Sequence, residues 1–200
     1  MIYQLINPER IAGAILLASG IGLYVGTEGM TTFCEAFDGR PLVSLQMAIP
    51  EVPSILVDSY RGMRDVVDHL IEVHGHRRLA FLRGPVTHRG AEERYRAYRD
   101  ALRAHDIGYD PELVMPPTKG WSDTRPIVGF LQYLAEGTTL SCDAIVGSNA
   151  GFLQTGLNWL QQHGWSVPED VALAGFDDFP HVAGMVPSLT TARVAFEAIG

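Results

Sequence analysis

The sequence predicts a doubly wound α/β fold, in which parallel strands alternate with helices. Short apolar segments rich in Val, Ile and Leu recur along the chain, at residues 12–18, 41–46, 54–58, 78–84, 143–148 and 170–176. Near-continuous apolar runs of this length are typical of parallel strands that are covered on both faces. Segments with helical spacing lie between several of these runs, so the two patterns alternate. That alternation predicts the fold class.

The first apolar run, 12–18, is followed by the glycine-rich stretch GIGLYVG at 20–26. A dinucleotide-binding turn needs the spacing G-x-G-x-x-G and an acidic residue at the end of the next strand. Here the third glycine comes one residue late, and Asp38 precedes the strand at 41–46 instead of ending it. We therefore interpret residues 20–26 as a flexible loop, and we expect no cofactor.

Apolar residues at helical spacing predict helices in three of the intervening segments. The first begins near Arg61, the second carries a stripe from Ala91 to Leu102, and the third begins after Asn149. The stripes comprise Met63, Val66, Val67, Leu70 and His74 in the first helix, Ala91, Tyr95, Tyr98 and Leu102 in the second, and Leu153, Leu157 and Leu160 in the third. Each helix would pack its stripe on the sheet.

Three histidines, His69, His74 and His76, fall within eight positions and raise the question of a metal site. His69 and His74 lie in the last turns of the first predicted helix, and Gly75 is suited to the left-handed cap that ends a helix. A zinc site needs ligands that converge on one point, whereas His74 and His76 flank a chain reversal with no acidic or Cys ligand nearby in sequence. We expect a helix end here and no metal.

Composition and charge narrow the range of functions that this sequence can have. The net charge of −8 and the isoelectric point of about 5.3 provide no basic surface for nucleic acid, so DNA binding would need a segment outside this sequence. Cys34 and Cys142 show no ligand-like spacing and fit a reducing cytoplasm. The uncharged run at 11–27 is short for a membrane span, and no basic region precedes it, so a buried strand is favoured over membrane insertion or export.

Polar side chains cluster where ligands bind in open α/β sheets, beyond the carboxyl ends of strands and at helix N-termini. Such positions hold Ser19, Ser44, Gln46, Asp58, Ser59, Arg94, Trp121, Ser122, Ser148, Asn149, Asp177 and Asp178, with Trp121 and Ser122 expected to open a helix. Carboxylates, an amide and a guanidinium suit vicinal hydroxyls, and an aromatic face suits a sugar ring. Each also has a structural explanation, because Asn149 and Asp178 are good helix caps and Trp121 can pack in a core.

Several stretches taken in order resemble the effector-binding domain of the LacI/GalR family of bacterial transcriptional regulators. They are VPSILVDSYRG (52–62), HLIEVHGHRRLAFLRGP (69–85), AEERYRAYRDAL (91–102), DAIVGSN (143–149), VPEDVALAGFDD (167–178) and PSLTT (187–191). The resemblance covers the chain from about residue 10 onwards. It implies a type I periplasmic-binding-protein-like fold of two doubly wound parallel-sheet lobes: an N-terminal lobe within 1–84, a C-terminal lobe at 85–187 and a crossover at 188–200.

The resemblance also implies the site residues. Arg94 matches the family's cleft arginine, Trp121 an aromatic that packs on the ligand, Asn149 the asparagine of its Asn-Asp motif and Asp177 the first acid of its Asp-Asp motif. Asp58 lies in the family's Val-Asp-Asn stretch. This sequence departs from the pattern at three places, with Ala150 after Asn149, Ser59 after Asp58 and Ala97 in place of a glycine. These departures bear on the identity of the ligand.

By this resemblance the chain is a sugar- or polyol-binding effector domain of a cytoplasmic, homodimeric transcription regulator, truncated at both ends and without the DNA-binding headpiece. The alternative is that the same lobe pair senses ligand for a histidine kinase or a diguanylate cyclase. A catalytic function is the weakest option, because the sequence has no G-x-S-x-G nucleophile elbow, no H-E-x-x-H motif and no P-loop.

Overall fold

The computed structural model describes residues 11–37, 39–179, 182 and 184–199. Its compact units divide between Val57 and Asp58, giving a first unit within residues 11–57 and a second unit within residues 58–198. The lobes expected from the resemblance meet instead at residues 84 and 85. Those lobe boundaries remain a prediction about the complete protein.

The first unit contains a sheet of three parallel strands. Strand β1 (Ala14–Leu17) leads directly into helix α1 (Ala18–Glu35), which is followed by β2 (Leu42–Leu45) and β3 (Ser54–Ile55). The strand order is β1-β2-β3, with Leu17 paired to Leu45 and Leu45 paired to Ile55. All three strands lie where apolar runs predict them.

The glycine-rich stretch at 20–26 is helical, so its interpretation as a flexible loop was wrong. It forms the first half of α1, and the helix is interrupted only at Gly26, whose φ of 68° and ψ of −176° are not helical. Gly22, Met30 and Cys34 are buried in this unit. Burial of one helix face outweighs the low helix propensity of glycine, which costs about 1 kcal/mol per residue relative to alanine.

The second unit is built around a sheet of four parallel strands. Its elements are α2 (Ser59–Glu72), β4 (Leu79–Leu82), α3 (Arg89–Ala104), α4 (Arg125–Leu134), the short antiparallel pair β5 (Ala135–Glu136) and β6 (Thr139–Leu140), β7 (Ala144–Gly147), α5 (Ala150–Gln162), β8 (Ala172–Phe176) and β9 (Thr190–Ala192). The sheet order is β4-β7-β8-β9. Parallel strands with intervening helices confirm the predicted α/β class.

The largest hydrophobic cluster lies in this second unit. It joins one face of β4, β7 and β8 to helices α4 and α5, with Ile127, Leu131 and Phe152 fully buried. On the other face, Tyr98 of α3 is 1% exposed and donates a hydrogen bond to the carbonyl of Leu79. The sheet is therefore covered on both faces, which fixes the strand ends rigidly.

The end of α2 has the structure that the histidine-containing segment predicts. Gly75 adopts a left-handed φ of 75°, and the amide of His76 donates to the carbonyl of Leu70. The amide of Gly75 donates to Ile71, which completes a helix-terminating motif before β4 begins.

The loop before α4 differs from expectation, because Trp121 and Ser122 do not open a helix. They lie in a turn, and α4 begins at Arg125 with Pro126 in its first turn. Proline favours the first turn because its missing amide proton has no helical partner there. Within the described ranges, none of the helices combines the length and the apolar character needed to cross a bilayer.

Candidate functional site

The candidate site lies at the carboxyl ends of the second unit's strands. Strands β4, β7 and β8 are hydrogen-bonded neighbours, and their register pairs Leu82 with Gly147 and Gly147 with Gly175. The residues that follow β7 and β8 therefore emerge side by side at one edge. These residues are Ser148 and Asn149 after β7, and Asp177 after β8.

Arg94, in the first half of α3, reaches across this edge and is 7% exposed. Its Nη1 donates a 2.7 Å hydrogen bond to the carbonyl of Ser148. Its guanidinium carbon lies 3.6 Å from the centre of the Phe176 ring. Stacking on an aromatic face suits the planar, weakly hydrated guanidinium group, so the side chain is held in one position by both contacts.

The buried guanidinium of Arg94 is only partly satisfied. Its Nη2 lies 3.9 Å from Oδ1 of Asp177, which is too far for a hydrogen bond, and its Nε has no hydrogen-bond partner among the residues that the structure describes. Burial lowers the pKa of Arg94 to about 10, although Asp177 and Glu93 oppose this shift. Buried donors without partners are rare in folded proteins, so these free donors indicate a place where a ligand or water binds.

Asp177 sits at the tip of the turn after β8 in a strained backbone conformation. Its φ of 73° lies in the left-handed region that residues other than glycine seldom adopt. The carboxylate accepts a hydrogen bond from the Ala150 amide, and the backbone amide of Asp177 donates to Ala192. Burial raises the pKa of Asp177, and the charge of Arg94 opposes that shift. Strain at a half-buried acid is typical of functional positions.

Asn149 begins helix α5, next to Asp177. Its Oδ1 accepts a 2.8 Å hydrogen bond from the amide of Phe152, so the structural role of a helix cap is fulfilled. Among the described residues its amide NH₂ group has no acceptor, and it remains available to donate. The adjacent Ser148 is fully buried, and its hydroxyl also has no partner.

Trp121 forms the aromatic wall of the site. Its ring centre lies 5.7 Å from that of Phe152 on α5, and the guanidinium carbon of Arg94 lies 5.9 Å from the Trp121 ring. A Cβ atom added at Gly84 would come within 2.6 Å of the ring, so only glycine fits beneath it. Trp121 is thus positioned by tight packing, even though it lies outside a helix.

His88 is a site residue that the sequence reasoning missed. Its ring lies 5.1 Å from that of Trp121 in an edge-to-face arrangement. Its Nδ1 accepts from the amide of Ala91, so it caps α3 and carries no proton on that nitrogen. Burial and the charge of Arg94 lower the pKa of His88 to about 4. Its position just after a strand and six residues before Arg94 was the signal that could have identified it.

Four of the five predicted residues surround one edge of the sheet, and the fifth does not. Asp58 caps the N-terminus of α2 by accepting from the amide of Arg61, and it is exposed. Within the described part of the chain, no hydrogen bond or ion pair joins it to Arg94, Trp121 or Asp177. The capping role explains Asp58, so its contact with ligand remains only a prediction.

The arrangement combines one guanidinium, one carboxylate, a neutral imidazole and an indole face, together with the Asn149 amide. The cation and the anion balance, so the site offers directional hydrogen bonds without a net charge. Such a set can hold neighbouring hydroxyl groups while an aromatic ring covers the C–H face of a sugar. It offers no activated nucleophile and no base positioned beside one.

Comparison with known proteins identifies similar sequences. The family profile of the periplasmic binding protein-like domain matches residues 67–200. The HTH-type transcriptional regulator CelR of Thermobifida fusca is 31% identical over 166 residues, which are 82% of this chain and 46% of CelR. The HTH-type transcriptional regulator AscG of Escherichia coli is 30% identical over 141 residues, 70% of this chain and 40% of AscG. The chain thus spans less than half the length of these relatives.

Solved structures show the same fold. A CelR–cellobiose complex has a TM-score of 0.72 and 26% identity, covering 92% of this chain and 54% of that one. The Escherichia coli repressor ascG has a TM-score of 0.76 and 23% identity, covering 98% of this chain and 68% of that one. At 23% identity the structural likeness to ascG supports the fold alone. Regulators named CelR and AscG also match this chain in sequence.

Proposed function

The chain belongs to the periplasmic binding protein-like domain family, in the group of LacI-type transcriptional regulators, and from this we propose that it is a small-molecule effector-binding domain. The ligand class proposed is a neutral sugar or related polyol. In the complete protein, ligand binding would change the affinity of an attached DNA-binding segment for its operator.

One observation carries this proposal: Nη2 of the buried Arg94 guanidinium lies 3.9 Å from Oδ1 of Asp177 at the carboxyl edge of the sheet, just beyond hydrogen-bond distance. A ligand hydroxyl between the two groups would accept from Arg94 and donate to Asp177. Those two bonds would link the buried guanidinium to the half-buried carboxylate through the ligand. A hydrogen bond to a charged group contributes about 1.5–3 kcal/mol, which is enough to make these two residues dominate affinity.

The neighbouring side chains would define the rest of the ligand. The Trp121 ring would cover the apolar face of a pyranose, and the Asn149 amide would donate to a ring or hydroxyl oxygen. Nδ1 of His88 already accepts the helix-capping hydrogen bond from the Ala91 amide. The proton of the neutral ring is therefore on Nε2, which would donate to the ligand. A phosphate or carboxylate is disfavoured, because Asp177 offsets the charge of Arg94.

The similarity to CelR makes cellobiose the first compound to test, since a relative binds it in a solved complex. This chain departs from the family pattern at Ala150 and Ala97, so its preferred sugar need not be the same. A panel of neutral mono- and disaccharides would identify the preferred one.

The proposal for the complete protein is a DNA-binding homodimer that acts in the cytoplasm. The net charge of −8 argues against DNA contact by these 200 residues, because binding a polyanion draws on clustered lysine and arginine. The alternative of a sensor for a kinase or a cyclase is not favoured, since both relatives described above are transcription regulators. Extending the reading frame in both directions would decide between a helix-turn-helix segment and a signalling enzyme.

The test is thermal unfolding of the full-length protein with the sugar panel. Ligand at a hundredfold its dissociation constant stabilises the native state by about 2.7 kcal/mol, which is readily measured. Arg94→Ala and Asp177→Asn should each weaken binding by about 1–3 kcal/mol. Arg96→Ala is the matched control, because Arg96 is an exposed arginine of the same helix that stacks on Tyr60 away from the site.

Two outcomes distinguish the possibilities. If a sugar binds and both site variants bind it as tightly as the parent, the proposed site is wrong while the fold stands. If Arg96→Ala weakens binding as much as Arg94→Ala does, the effect comes from general loss of charge on α3. Intrinsic fluorescence gives a second measure of binding at Trp121, with Trp121→Phe as the control for Trp159 and Trp165.

A further inference from the structure

The histidine-rich end of helix α2 contains a second cluster of chemically active side chains, apart from the sugar site. The Nε2 atoms of His69 and His74 lie 3.1 Å apart, and the two rings meet nearly at right angles, at 83°. The sequence analysis considered His69, His74 and His76 together and expected no metal, because His74 and His76 flank a chain reversal. The structure instead brings together His69 and His74, on the helix side of that reversal.

We propose that His69 and His74 form a surface site for a divalent transition-metal ion such as Zn²⁺ or Ni²⁺, with water completing the coordination. Two imidazole nitrogens that bind one tetrahedral zinc at about 2.0–2.1 Å lie about 3.4 Å from each other. Two adjacent ligands of an octahedral ion at that distance lie about 2.9 Å apart, by the same geometry. The observed 3.1 Å lies between these values, so a small ring rotation would let both nitrogens face one ion.

The chemistry of the pair selects the class of ion. Imidazole nitrogen suits Zn²⁺, Ni²⁺ and Cu²⁺, whereas Mg²⁺ and Ca²⁺ require oxygen ligands. The pair is exposed to solvent, so an ion can reach it without rearrangement of the core. The last carbonyl groups of α2 also carry partial negative charge, which favours a cation at this end of the helix.

This is a site with two protein ligands and not a closed structural centre. Across the described parts of the chain, no three His, Cys, Asp or Glu side chains are arranged to hold a metal ion. His76 is turned elsewhere, with its Nδ1 3.6 Å from a carboxylate oxygen of Asp143 and its ring centre 6.1 Å from that of His74. The pair is exposed, so water from the solvent can complete the coordination.

The site is independent of the proposed sugar site. The His69–His74 pair precedes β4, at the amino end of that strand, whereas Arg94 and Asp177 gather at the carboxyl ends of the sheet. An ion at the end of α2 would fix the last turn of the helix and the reversal into β4. It would therefore stabilise the second unit whether or not a sugar is bound.

Isothermal titration of tag-free, chelator-treated protein with Zn²⁺ and with Ni²⁺ tests the proposal. One ion should bind per chain, and His69→Ala and His74→Ala should each weaken binding at least tenfold. His163→Ala is the matched control, because His163 also lies at a helix end and its ring stacks on Trp159 of the same helix. Mg²⁺ should give no saturable heat, and binding should weaken as the pH falls, because protonated imidazole cannot bind a metal.

The proposal fails if no saturable binding of Zn²⁺ or Ni²⁺ occurs, or if both variants bind as tightly as the parent. It also fails if His163→Ala loses binding as the other two variants do. Circular dichroism of each variant confirms that the fold is intact, so a loss of binding reports on ligation. Sugar binding should persist in His69→Ala and His74→Ala, which separates this result from the test of the effector site.

Discussion

The two units of the chain cover their parallel sheets to different extents. In the second unit every residue of β4, β7 and β8 is buried. In the first unit burial alternates along β1, where Ile15 is 73% exposed, Leu16 is 8% exposed and Leu17 is 70% exposed. The same apolar sequence pattern thus gives a sheet covered on both faces in one region and on one face in the other.

The strand register explains the alternation in the first unit. Ile15 lies beside Val43, and Leu17 lies beside Leu45, so these apolar side chains share the open face. The opposite face carries the fully buried Ser44, whose hydroxyl donates to the carbonyl of Met47. Burial on both faces holds strand ends firmly and desolvates the groups beyond them. This difference explains why the candidate site belongs to the second unit.

The two sheets should differ most in the stability lost when one apolar strand residue is replaced by alanine. Phe81 of β4 is fully buried and stacks on Tyr98 with ring centres 4.8 Å apart. Phe81→Ala should lower the free energy of unfolding of the second unit by about 3–5 kcal/mol, because it leaves a cavity. Ile15→Ala on the open face should change stability by no more than about 0.5 kcal/mol.

Urea unfolding, monitored separately by circular dichroism and by tryptophan fluorescence, measures both variants. All three tryptophans, Trp121, Trp159 and Trp165, lie in the second unit, so fluorescence reports on that unit alone. A loss of more than about 2 kcal/mol in Ile15→Ala, the low end for a core truncation, would show that the face is covered in solution.

Two glycine-to-alanine substitutions, one in each unit, should give smaller changes in stability, and the two changes should have opposite signs. A Cβ atom at Gly175 of β8 would collide with the backbone carbonyl of Gly147 on β7, which cannot move aside. Gly175→Ala should therefore destabilise the second unit by about 1–3 kcal/mol. Gly20 in α1 has open space around its Cβ position, so Gly20→Ala should stabilise its helix by up to about 1 kcal/mol.

Thermal unfolding of the two glycine variants beside the parent checks this prediction. If Gly175→Ala is neutral, β7 and β8 are not held as closely as the structure shows. If Gly20→Ala is destabilising, residues 20–26 do not form the first half of α1 in solution.

A further effect concerns pH and the half-buried histidine of the site. Folding lowers the pKa of His88 from 6.5 to about 4. Between these pH values the unfolded chain binds a proton at His88, whereas the folded chain does not. The stability contributed by neutral His88 is complete above pH 6.5, and it decreases as the pH falls toward 4. His88→Asn keeps a cap for α3 and cannot titrate, so this variant should lose less stability than the parent over that interval.

Unfolding by urea at pH 7.0 and at pH 5.0 measures the difference. Parallel loss of stability in the parent and in His88→Asn would mean that His88 is not held neutral by burial. The first unit contains no described histidine, so it provides an internal reference for the pH dependence of the remaining groups.

Much of the fold followed from the sequence, because strands and helix caps depend on local patterns. Apolar runs located all six predicted strands, Gly75 marked the end of α2, and Asn149 marked the start of α5. These signals are read within a few residues of the chain. The ordered motifs also indicated the family, and through it the carboxyl edge of the second sheet.

The remaining features depended on contacts between distant residues. The helix at 20–26 forms because its face is buried in the first unit, which outweighs its glycine content. His88 joins the site because Trp121, which is 33 positions later in the chain, packs against it. Asp58 caps α2, a role that its motif did not reveal, and its contact with ligand stays a prediction.

Sequence by itself therefore determined the fold class, the order of the strands along the chain and the chemical types of side chain available at their ends. Tertiary structure alone decided which of these side chains meet. It placed Arg94 over Phe176 and beside Ser148, left its Nε unpaired, and brought the imidazoles of His69 and His74 within 3.1 Å. The physical reason is that propensity acts over a few residues, whereas desolvation and ligand geometry depend on groups that only packing brings together.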